Sequence, residues 1–134
     1  MKRRAFLQNK LWRDQAVQML EAEGSVIHWN KLSDADYDRE LRLKLLEEAK
    51  EVDAARTREE LRFEIADVLE VLECLCSVNG LSMEDVYVVK EKKNIERGSF
   101  HGRKFVTIAE HPEGSFGERY CLKDPEKYPE LKNQ

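Results

Sequence analysis

Four carboxylates stand at mirror-symmetric positions in the middle of this 134-residue chain: Glu48 and Glu51 in KLLEEAKEV, then Glu64 and Asp67 in RFEIADVLEVL. The pattern is ExxE, twelve residues, ExxD. Residues three apart on a helix share a face. An antiparallel hairpin turning near Ala55–Thr57 therefore sets Glu51 opposite Glu64 and Glu48 opposite Asp67. Four oxygen donors gathered in this way suit a divalent cation.

Acidic residues number 27 of 134, so spacing alone decides little, and position against the apolar stripes decides more. At about 100° per residue, Leu41, Leu45 and Val52 define an apolar stripe with Glu48 in its middle and Glu51 on its edge. On the following helix Glu64 falls beside Val71 and Leu75, at the margin of a Leu61/Ile65/Val68/Leu72 stripe, with Asp67 one step further out. Two unit charges about 5 Å apart at an effective dielectric near 20 repel by roughly 3 kcal/mol. Lys44, four residues before Glu48, cannot neutralise four such groups. An all-oxygen donor set favours Mg²⁺, with Mn²⁺ as its substitute. A di-iron bundle would use Glu-x-x-His pairs, and His28, His101 and His111 all lie outside the carboxylate helices.

Capping and stop signals mark the elements that position these side chains. Leu11–Ala22 carries Trp12, Ala16, Val17 and Leu20 at helical spacing and meets Gly24, which predicts a first helix. Val26–Trp29 reads as a short extended piece. Ser33 with Asp36 resembles a capping box that opens a second helix from about Asp34 to Ala55, and Thr57 with Glu60 opens a third that ends at Asn79 before Gly80. From Ile65 to Val78 this third helix is apolar on nearly all sides, which predicts that a second subunit covers part of it. Ser82 with Asp85 begins a fourth helix that reaches about Arg97, before Gly98. Lys104–Ile108 reads as a short strand that pairs with Val26–Trp29, and the chain from Ala109 on reads as an irregular tail. The expected fold is all-α, an antiparallel bundle of about four helices with a small β-hairpin.

A length of 134 residues suits one domain, and a net charge of −4 argues against a general nucleic-acid binder. Three cysteines, with Cys74 and Cys76 too close along a helix to face the same way, make no disulfide framework and fit a reducing cytoplasm. The start, MKRRAFLQNKLWRD, lacks the apolar region of a secretory signal, and no run approaches the roughly 18 apolar residues of a membrane span. A soluble cytoplasmic protein is expected, with no membrane or nucleic-acid partner.

The fourth helix places Met83, Tyr87, Lys90, Asn94 and Arg97 on one face. Lysine, asparagine and arginine at its C-terminal half can hold phosphate charge, although basic residues also favour a helix C-terminus for the dipole alone. ExxE-x12-ExxD followed by Lys90-x3-Asn94 resembles the MazG-like nucleoside triphosphate pyrophosphohydrolases, in the all-α superfamily that includes the phosphoribosyl-ATP pyrophosphohydrolases. Lys10-Leu11-x-Arg13-Asp14 is similar to the KLxRDKIP start of one house-cleaning branch, and Glu96-Arg97-Gly98-x-Phe100 to its ERGGF segment. The chain departs from that branch at Gln15, at Ala16-Val17 and at Ser99.

The resemblance implies an all-α pyrophosphohydrolase-like domain over residues 1–108, with 109–134 as its tail, working as a dimer or tetramer. It implies cleavage of a nucleoside triphosphate, or a related nucleotide, between the α and β phosphates. Glu48, Glu51, Glu64 and Asp67 would hold Mg²⁺, which binds phosphate oxygens and acidifies the attacking water. Either Glu48 or Glu51 would serve as general base, and Lys90, Asn94, Arg97, Arg13 and Asp14 would bind substrate. Two other readings use the same residues: phosphoribosyl-ATP hydrolysis in histidine biosynthesis, and a non-catalytic helical interaction module whose acidic face serves solubility.

Overall fold

Side-chain caps set where the helices begin. The computed structural model describes residues 2–132, and in them five helices form: α1 (Asp14–Ala22), α2 (Asp34–Ala54), α3 (Arg58–Val78), α4 (Met83–Arg97) and α5 (Phe116–Leu122). Ser33 Oγ accepts the Asp36 N–H at 3.2 Å. Thr57 Oγ1 accepts the Glu60 N–H at 3.1 Å, and Ser82 Oγ the Asp85 N–H at 3.1 Å. Each hydroxyl satisfies a first-turn donor that has no partner within its helix. Both α1 and α3 stop at a glycine in left-handed conformation, Gly24 at φ 101° and Gly80 at φ 69°. The next N–H then reaches back along the helix, Ser25 to the Leu20 carbonyl at 3.0 Å and Leu81 to that of Cys76 at 2.9 Å. This doubled closure is the Schellman arrangement, and a β-carbon there would strain it.

The chain divides into two compact units, one running through Glu96 and the other starting at Arg97. In the first, α2 and α3 form a hairpin whose turn, Ala55–Thr57, is where the carboxylate spacing places it. They are the one pair of helices in extensive contact among the described residues. Leu41, at 3% exposure, and Val71, at 7%, are the buried apolar residues of that contact. The inward face of α3 carries Glu64, Asp67, Val68, Val71, Leu75 and Val78, steps of three and four along one side. Leu61, Ile65 and Leu69 stay exposed. The expected core stripe of α3 is therefore rotated: α2 covers one flank of a helix that is apolar all round, and the Leu61–Ile65 flank is left bare.

Three further expectations need correction. Helix α1 begins at Asp14 and not at Leu11, because Arg13 is an extended N-cap with ψ 141° and the residues before it are drawn into ion pairs. Among the described residues there is no strand, so Val26–Trp29 and Lys104–Ile108 do not form the expected hairpin. Trp29, Phe105 and Val106 are exposed. The tail is not wholly irregular: Ser115 Oγ accepts the Glu118 N–H at 3.4 Å while Glu118 Oε1 accepts that of Gly114 at 2.9 Å, and this reciprocal cap starts α5. In the second unit Tyr120 stands between Phe116 and Tyr128, with ring centroids 6.0 and 5.7 Å away.

Candidate metal centre

Glu48 is the one buried polar side chain among the described residues, at 8% exposure. It is buried because α2 must turn the Leu41 side toward α3, and position 48 lies two turns further along that same side. Across the hairpin, α3 brings in Glu64 and Asp67, both half-buried. One carboxylate oxygen from each of the three lies within 4.8 Å of the others. Oxygens on opposite sides of a Mg²⁺ ion stand about 4.2 Å apart at the usual 2.0–2.1 Å bond length. Adjacent oxygens stand about 2.9 Å apart, and three donors include at least two adjacent pairs, so these side chains would draw inward to ligate a single ion. The set is all oxygen and carries formal negative charge, which suits a hard divalent cation, whereas a thiophilic metal would need the cysteines or histidines that lie elsewhere.

Glu51 stands outside this tight group. It is exposed, and it lines a cavity of about 190 Å³ together with Glu64, Glu60, Ala54 and Ala55, next to the turn. The expected opposition of Glu51 and Glu64 is thus present as a shared cavity wall, while Glu48 and Asp67 meet as expected. The quartet is three convergent carboxylates and a fourth beside them.

Two cations serve the three. Lys44 Nζ lies 3.5 Å from Glu48 Oε1 and 3.4 Å from Glu47 Oε2. Arg13 Nη2 donates to Asp67 Oδ1 at 2.6 Å. That hydrogen bond, aided by the charges of Asp67, Glu70 and Glu48, holds the Arg13 guanidinium above its already high pKa. Glu64 has no such partner. Desolvation first, then repulsion from Asp67, Glu48 and Glu51, pushes its carboxyl above the ordinary glutamate range.

The remaining expected residues are placed unequally. Arg13, itself exposed, reaches the carboxylates from the solvent side through Asp67. Asp14 is the first residue of α1, exposed, where its charge favours the helix N-terminus. Lys90 and Asn94 share the expected face of α4, but α4 makes no extensive contact with the hairpin, and neither residue bonds to the carboxylates among the described residues. Arg97 ends α4 and opens the second unit.

Two contributors escaped the sequence reading. Lys10 Nζ lies 3.1 Å from Glu47 Oε1, and Glu47 is half-buried beside Glu48. Burial would raise its carboxyl, yet Lys10 and Lys44 together bring it below the usual range. Tyr37 is more than simple packing: burial, with its hydroxyl bonded to Cys74, pushes its pKa up to about 12.

No family model matches the chain, and comparison with curated proteins and with solved structures gives no match. Among the described residues no helix is long and apolar enough to cross a membrane.

Proposed function

We propose that the protein is a Mg²⁺-dependent nucleoside triphosphate pyrophosphohydrolase, cleaving the α–β phosphate bond to give nucleoside monophosphate and pyrophosphate in cytoplasmic nucleotide house-cleaning. The observation that carries this reading is the convergence of buried Glu48 with Glu64 and Asp67 inside a helix hairpin. Burying carboxylates together is costly without a cation, and the raised Glu64 carboxyl marks where that cost falls. Mg²⁺, or Mn²⁺ in its place, supplies charge stabilisation at the phosphates and an acidified water.

The chain's own residues do the rest. Glu48, Glu64 and Asp67 hold the ion. Glu51, exposed beside Glu64 in the turn-side cavity, takes up the proton as general base. Lys90, Asn94 and Arg97 bind the phosphates and offset charge as the bond breaks.

Self-association as a dimer or tetramer completes the site. Two α2–α3 hairpins packed on their Leu61–Ile65 flanks make an antiparallel four-helix bundle, and the basic stripe of α4 reaches phosphate within that assembly. The bare flank of α3, with Leu61, Ile65 and Leu69 exposed, supports this step. Incubation with a panel of nucleoside triphosphates and Mg²⁺ should release pyrophosphate from at least one of them, and chelation with EDTA should stop it. An absence of turnover on every nucleotide would overturn the proposal.

A further inference from the structure

Arg13 and Asp67 are 54 residues apart in sequence, yet they make the shortest ion pair of the hairpin, 2.6 Å from Nη2 to Oδ1. Three residues earlier Lys10 pairs with Glu47 at 3.1 Å. The segment before α1 is thus tied to α3 by one ion pair and to α2 by the other. Side-chain exposure falls from 64% at Arg13 through 25% at Asp67 to 11% at Glu48. Arg13 therefore meets the carboxylate group from the solvent side, with Glu48 innermost.

The pairing is through one nitrogen and one oxygen. A forked guanidinium would occupy both oxygens of Asp67, whereas this contact takes Oδ1 and leaves Oδ2 to another partner. Without Arg13, Asp67 would face Glu48 and Glu64 with Lys44 as the one cation left beside them, and like-charge repulsion would turn its short side chain outward. We propose that Arg13 is a positioning residue: it holds Asp67 through Oδ1 so that Oδ2 remains directed to a divalent cation shared with Glu48 and Glu64. The inference rests on the metal-centre reading and gives Arg13 a role other than the expected contact with substrate. Carboxylate ligands are commonly oriented by such an outer hydrogen bond.

Calorimetric titration of Mn²⁺ into the full chain tests this with four proteins: wild type, Arg13→Gln, Arg13→Lys and Lys10→Gln. Arg13→Gln should weaken Mn²⁺ binding about 10- to 100-fold. Arg13→Lys should recover part of it, since an ammonium keeps the charge but not the plane. Lys10→Gln, which loosens the same segment from α2 without touching Asp67, should leave Mn²⁺ affinity unchanged. Thermal melting of each protein in EDTA reports folding separately, and if Arg13→Gln does not fold, Arg13→Lys binding as tightly as wild type counts against an oriented bond. Unchanged or tighter Mn²⁺ binding by a folded Arg13→Gln overturns the positioning role and leaves the metal centre standing. Equal weakening by Lys10→Gln overturns it in favour of simple tethering. A wild type that binds no Mn²⁺ overturns both readings.

Discussion

The two ends of the α2–α3 hairpin are built from the same residue types and reach opposite electrostatic states. At the open end, Asp38 receives the Arg42 Nε at 2.9 Å and the Asn79 amide at 2.7 Å, and these two bonds hold its carboxyl below the usual range. Nearer the turn, Glu48, Glu64 and Asp67 share Lys44 and Arg13, and Glu64 is pushed the other way. One end has two donors for one carboxylate; the other has two cations for three. The first arrangement ties the helices together, while the second opposes their closure unless a further positive charge arrives. That contrast separates a carboxylate satisfied by its neighbours from carboxylates that crowd one another.

The largest effect should come from crossing the two ends. Glu48→Gln should reduce hydrolysis to background with little change in melting, whereas Asp38→Asn should lower the melting temperature and leave kcat intact. Paired kinetics and melting curves check this, and loss of turnover in both variants would erase the distinction. Leu41, the most buried residue, lies between the ends and serves both. Leu41→Ala should cost about 2–5 kcal/mol in urea unfolding.

Mg²⁺ should act on one end only. At 100 times its Kd it should stabilise wild type by about 2.7 kcal/mol, EDTA should reverse the gain, and Glu48→Gln should show none. A smaller effect separates the ends by pH in the absence of metal. The Asp38 carboxyl is lowered, so its contribution is present above the ordinary carboxylate range and is lost as pH falls through its lowered value. The Glu64 carboxyl is raised, so the folded state keeps that proton longer and stability falls as pH rises from the ordinary range through the raised value. Relative to wild type, Glu64→Gln should gain with rising pH and Asp38→Asn should lose. Parallel curves in EDTA would contradict the assigned signs.

Much of this was legible in local signals. Ser33, Thr57 and Ser82 each announce a helix through an acidic residue three positions on, and Gly24 and Gly80 announce two ends, so α2 and α3 lie within about a residue of their expected limits. The burial of Glu48 follows from its place among Leu41, Leu45 and Val52. The same capping signal stood at Ser115 and Glu118 but was masked by the neighbouring Pro112 and Gly114. Tertiary choices were not legible. On α3 an apolar residue lies on nearly every side, so periodicity could not say which flank α2 covers. The Arg13–Asp67 bond joins residues 54 apart, and no local pattern records it. Lys90 and Asn94 were visible as a stripe, but the stripe does not encode where α4 docks.

Product identity tests the central claim most directly. Phosphorus NMR of a nucleoside triphosphate incubated with the protein and Mg²⁺ should show nucleoside monophosphate and pyrophosphate growing in equal amounts, with no such signals from Glu48→Gln. Nucleoside diphosphate with orthophosphate, or the same products from Glu48→Gln, would contradict a diphosphate-cleaving centre built on the buried carboxylates.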